Sequence, residues 1–125
     1  MLTIDEINDM LDDIATELPK EIFRNLNGGV SLLPDTKRNS IDPSGGLYIL
    51  GEYRRDQMGR YIVIYYGSIR VVHGRDTPEQ MRENLKRLLM HELTHHLESL
   101  AGERDLEIED EIELDEYLSG RENNM

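Results

Sequence analysis

A chain of 125 residues is long enough for one domain with a modest core and too short for two. With 38% apolar residues, 32% charged residues and no cysteine, it reads as a soluble globular protein without disulfides or thiolate-held metal. Its formal charge of −12 argues against nucleic-acid binding, and no apolar run approaches the roughly 20 residues that span a bilayer.

In chain order, Thr3-x-x-Glu6 forms a capping box, followed by Ile4, Ile7, Leu11, Ile14 and Leu18 at helical spacing. Pro19 ends that helix or opens a further turn over 20–26, which Asn27-Gly28-Gly29 then breaks. Val30–Leu33 reads as a short strand and 34–46, with two prolines and two glycines, as a loop. Leu47–Tyr53 and Tyr61–Tyr66, rich in β-branched and aromatic residues, read as a hairpin turning near Met58-Gly59. Ser68–His73 suits either a short helix or a third extended piece, with His73 an ordinary loop histidine.

The clearest element starts at Thr77, an N-cap followed by Pro78 at the first helical position and Gln80 completing the capping pattern. It is expected to run to about Leu100 and stop at Gly102. Met81, Leu85, Leu88, Leu89, Glu92, His96 and Leu100 share one face of it, with His91 and His95 at the edge. Residues 106–118 suit a final acidic helix, although their alternation also permits a strand. One domain is thus expected over 1–118, with 119–125 a disordered tail. The acidic, amphipathic opening MLTIDEINDM is unlike a signal peptide, which makes the cytoplasm the expected location.

Charge is uneven. Residues 98–116 hold ten carboxylates against the single base Arg104, so this stretch is either a solvated acidic face or a dock for a basic protein partner.

The segment His91-Glu92-Leu93-Thr94-His95 carries the chemistry. Histidines four residues apart lie one above the other on a helix, close enough to grip one metal ion. A glutamate beside the first can take the proton of a water activated by zinc. This H-E-x-x-H pattern assigns His91 and His95 as metal ligands and Glu92 as general base. His96, within the apolar stripe, reads as a core or supporting histidine.

A catalytic zinc takes three protein ligands and leaves one position for water. Asp105 is the expected third ligand, because the chain can reverse at Gly102. Glu98, one turn beyond His95, is the alternative, though three ligands from one straight helix is an uncommon geometry; Glu107 and Glu109 are more distant choices. A peptide or protein substrate could add as a strand along the sheet edge near Leu47–Tyr53, with Tyr48 or Tyr53 as donor to the oxyanion.

The segments LPKEIF, GLYILGEY, YIVIYYGSI and above all HELTHHLESLAGERD resemble those of the small bacterial zincin-like metallopeptidases. The resemblance covers most of the chain and includes the His95-His96 pair. It implies an α+β fold: a compact zincin-like domain with a small β-sheet packed on an N-terminal helix and a long motif-bearing helix. It also implies a metal-dependent hydrolase site. The family pattern places a glycine soon after the second ligand and an aspartate three residues on. Here Glu98-Ser99-Leu100-Ala101 adds about one helical turn before Gly102 and Asp105, the counterparts of that glycine and aspartate. The reading is therefore a zinc metallopeptidase-like hydrolase, with a non-catalytic metal-stabilised domain or an acidic interaction module as alternatives.

Overall fold

The computed structural model describes residues 1–39 and 47–103. In order these form α1 (Ile4–Glu17), a 3-10 turn (Lys20–Phe23), β1 (Gly29–Leu33), β2 (Lys37–Arg38), β3 (Tyr48–Ile49), β4 (Gly51–Asp56), β5 (Gly59–Tyr65), α2 (Tyr66–His73) and α3 (Pro78–Glu103). The fold is α+β. Among the described residues, no helix is long and apolar enough to cross a membrane.

Both long helices start as their residues dictate. Thr3 Oγ1 accepts from the Glu6 backbone while Glu6 returns a carboxylate oxygen to the Thr3 N–H, satisfying two donors that the first turn leaves over. Thr77 and Gln80 repeat the device at α3. Ile7, Leu11 and Ile14 face inward from α1, and Met81, Leu85 and Leu89 meet them from α3. Leu93 and Leu97 extend the buried stripe further than expected, and Leu88 is only half-buried.

The main sheet has the order β1-β5-β4, with β1 parallel and β4 antiparallel to the central β5. Central position explains why Ile62 and Ile64 are fully buried, each side chain contributing about 1.5–3 kcal/mol. The hairpin turns between Asp56 and Gly59, where Asp56 Oδ1 accepts the Met58 N–H and Gly59 adopts φ +113°, a conformation open to glycine.

Three expectations need correction. The run Leu47–Tyr53 is not one strand: Tyr48–Ile49 pairs with Lys37–Arg38 in a second small sheet, and only from Gly51 does the chain join β5. A ladder of two residues is too short to leave a period in the sequence, so β2 lay inside an expected loop. His73 closes α2 instead of sitting in a loop, with Nδ1 3.0 Å from Asp76 Oδ2. Finally, α3 does not stop at Gly102 but continues to Glu103. Gly102 is not among the glycines of positive φ, so it is no left-handed cap, and a helical glycine costs only about 1 kcal/mol relative to alanine. The expected helix over 106–118 and the tail 119–125 lie outside the described residues.

Candidate metal centre and cleft

Three consecutive turns of α3 supply the chemistry. His91 and His95 are exposed on its outer edge, while Glu92 and His96, also four residues apart, face inward. The two outer rings meet edge to face, with Nε2 of His91 3.3 Å from Nε2 of His95. Two nitrogens each bound about 2.0–2.1 Å from a tetrahedral zinc stand roughly 3.3–3.4 Å apart, a separation that the pair matches. Among the described residues no three His, Asp or Glu side chains come together closely enough to hold a metal. Glu98, exposed on the next turn, lines the same cleft without completing a triad. Asp105 lies outside the described residues, and the reversal at Gly102 on which its choice rested is absent.

The cleft has a volume of about 760 Å³. One wall is α3, through His91, Glu92, His95, Glu98 and Ser99; the other is β4, through Gly51, Glu52, Tyr53 and Arg54. Gly51 is where helix and strand come close, because a Cβ there would stand 3.3 Å from Leu88 Cδ1 and 3.2 Å from the Val63 carbonyl.

Among the described residues β4 stands at the edge of the sheet, so half of its backbone groups point away from β5. The Leu50 carbonyl accepts from the Tyr65 N–H, and the alternation of an antiparallel ladder then turns the groups of Gly51 and Tyr53 outward. The outward-turned Tyr53 N–H faces the Glu92 carboxyl and favours its charged form. Burial pushes the Glu92 carboxyl above its ordinary range, against the opposing pull of the His91 and His95 imidazoles and the Tyr53 N–H.

Behind the cleft, His96 is completely buried. Its Nε2 lies 2.8 Å from the Arg24 carbonyl, which can only accept, so Nε2 carries the proton. Nδ1 is left as an acceptor for the Tyr53 hydroxyl at 3.0 Å. Burial, the leading influence, lowers the basicity of the ring. These are the contacts of a satisfied core histidine, one of the two readings expected of His96. Tyr53, considered as an oxyanion donor, commits its hydroxyl here, and Tyr48 does not line the cleft.

A cluster that the motif gave no hint of sits on the β4 wall. Glu52 accepts from Lys37 Nζ at 2.7 Å, from Arg54 through Nε and a terminal guanidinium nitrogen, and from the Tyr65 hydroxyl at 2.8 Å. Burial alone would raise its pKa, but these donors outweigh that and hold it at about 2. The Glu52–Arg54 pairing was readable as two opposite charges on one strand face, whereas Lys37 comes from the other small sheet and left no signal.

No family model matches the chain, and no curated protein matches it. Among solved structures, the chain resembles a conserved hypothetical protein from Thermo thermophilus at 31% identity and a TM-score of 0.68. The alignment covers 81% of this chain and 99% of that one, and identity at this level over nearly the whole of the relative goes beyond a shared architecture. The chain belongs to the same family as that conserved hypothetical protein.

Proposed function

We propose that this protein is a zinc-dependent, metallopeptidase-like hydrolase of the zincin type, acting on a peptide or protein substrate. The observation that carries the reading is the convergence of His91 and His95 to a 3.3 Å Nε2 separation, one residue from a buried glutamate at the wall of an open cleft. His91 and His95 would hold the ion, with Asp105 the proposed third ligand and Glu98 its alternative. A zinc ion in that position supplies Lewis acidity, lowering the pKa of water towards about 7 and polarising a substrate carbonyl.

Glu92 takes the proton of the attacking water and hands it to the leaving amine. Its raised basicity suits both steps, because a general base works best when its pKa lies near the working pH. The outer edge of β4 offers the Gly51 backbone groups and the Tyr53 carbonyl to an extended peptide, which would lie as an added strand across the motif. We also assign the protein to the cytoplasm, the location expected from its acidic, amphipathic opening MLTIDEINDM.

The test is zinc content by elemental analysis for wild type, His95→Ala, Asp105→Ala and Glu98→Ala, followed by a peptide-library screen with Glu92→Gln as control. The reading expects about one zinc per chain. It also expects loss of the metal in His95→Ala and in one of the two carboxylate variants, and cleavage abolished in Glu92→Gln. A wild-type protein that takes up no zinc on titration would remove it. Zinc binding with no cleavage would favour the non-catalytic metal-stabilised domain.

A further inference from the structure

Glu92 and His96 are one turn apart on the inner face of α3, and a single residue of β4 engages both. Tyr53 turns its backbone N–H out of the sheet towards Glu92, and it donates its hydroxyl to His96 Nδ1 at 3.0 Å. The far side of the imidazole is pinned by the Arg24 carbonyl, at the end of the 3-10 turn Lys20–Phe23. Three elements therefore meet at one ring, and Tyr53 transmits its position to the edge strand. We propose that His96 is a positioning residue for Glu92: fixed by Arg24, it anchors the Tyr53 hydroxyl and so keeps the Tyr53 backbone N–H against the Glu92 carboxylate.

The chemistry of the ring supports this role. A carbonyl accepts and never donates, so the tautomer is set and Nδ1 can only accept. The tyrosine hydroxyl is thereby left with a single direction that satisfies a fully buried nitrogen. If the ring let go, Tyr53 would be free to rotate and β4 to slide relative to α3. The carboxylate would then lose the donor that orients it. A buried histidine serving packing alone would fill the same volume without setting the direction of either partner. The catalytic meaning of the clip rests on the metallopeptidase reading, but the clip itself can be tested without it.

The experiment is amide hydrogen exchange by NMR on the full chain, comparing wild type with Tyr53→Phe and His96→Gln, alongside zinc content and peptide hydrolysis. Tyr53→Phe keeps the ring and removes only the hydroxyl. Exchange at the backbone amide of position 53 should accelerate about tenfold, the size of one lost hydrogen bond. The Tyr65 amide, bonded to the Leu50 carbonyl in the same ladder, should stay at its wild-type rate. Zinc content should be unchanged and kcat should fall about tenfold at constant KM, the mark of a disordered base. His96→Gln should act in the same direction. Unchanged exchange at position 53, or equal acceleration at Tyr65, overturns the proposal and reduces His96 to packing. A wild type that cleaves nothing while position 53 responds as described would sink the metallopeptidase reading and leave the clip standing.

Discussion

Two glutamates face each other across the cleft and are driven in opposite directions. Glu52 on β4 is ringed by Lys37, Arg54 and Tyr65, and its carboxyl is held at about 2. Glu92 on α3 lies deeper, with one backbone donor and two imidazoles nearby, and burial pushes its carboxyl up. The difference is a matter of donor count against desolvation. A carboxylate surrounded by cations stays charged down to strongly acid pH and works as a structural tie between the two sheets. A carboxylate short of donors stays basic, which is what a proton carrier needs. The same side chain thus takes opposite ionisation tendencies within one cleft, set by neighbours and not by residue type.

The largest effect expected from this contrast is catalytic. Glu92→Gln should lower kcat/KM on any cleaved peptide by about 10²–10⁴-fold while zinc content stays at the wild-type level. Residual activity within a factor of a few would give the base role to another group.

Next in size is the stability of the tie. Glu52→Gln leaves Lys37 and Arg54 facing a neutral amide, and partial exposure of the cluster keeps the expected loss to about 1–2 kcal/mol in urea unfolding. No change in midpoint would mean that solvent serves these cations equally well.

The two carboxyls should also oppose each other in pH dependence. Glu52 is depressed in the fold, so its contribution is full above its unfolded value of about 4.3 and is lost as pH falls towards about 2. The stability gap between wild type and Glu52→Gln should therefore close over that acid window. Glu92 is raised, so its protonated form favours the fold and that favour fades as pH climbs through its folded pKa. In metal-free protein, Glu92→Gln should then be more stable than wild type at neutral pH. Parallel pH curves for the two variants would contradict the comparison.

The smallest effect concerns the spacing of the walls. Gly51→Ala places a methyl 3.2 Å from the Val63 carbonyl oxygen and 3.3 Å from Leu88 Cδ1, so the Leu88 side chain, or α3 with it, must give by a few tenths of an ångström. A loss of about 1 kcal/mol is expected. The slightly wider cleft should admit water to Glu92 and relax its carboxyl towards the ordinary range, observable by carboxyl NMR titration.

Much of the scaffold was legible. Thr3 and Thr77 with their partners Glu6 and Gln80 mark both helix starts, since a cap is a contact between residues three apart. The hairpin turn and the placing of Glu92 and His96 on the inner face follow from periods that a local pattern preserves. The helix end was less legible. Gly102 is a good stop signal, yet glycine also continues a helix at modest cost, and only the surrounding structure decides between the two.

By itself, the sequence determined the local facts: where helices begin, which residues recur on one face, and that His91 and His95 must lie one turn apart beside Glu92. Those are interactions within a few residues, and helical geometry alone dictates them. Only the tertiary structure decided that β4 would lie against α3 and that Tyr53 would face both Glu92 and His96. It likewise decided that Lys37 would cross from a second sheet to Glu52. These partners are separated by 15 to 43 residues along the chain, so no local period encodes them. Packing of the apolar faces brings them together, and the basicity of each carboxylate follows from that meeting.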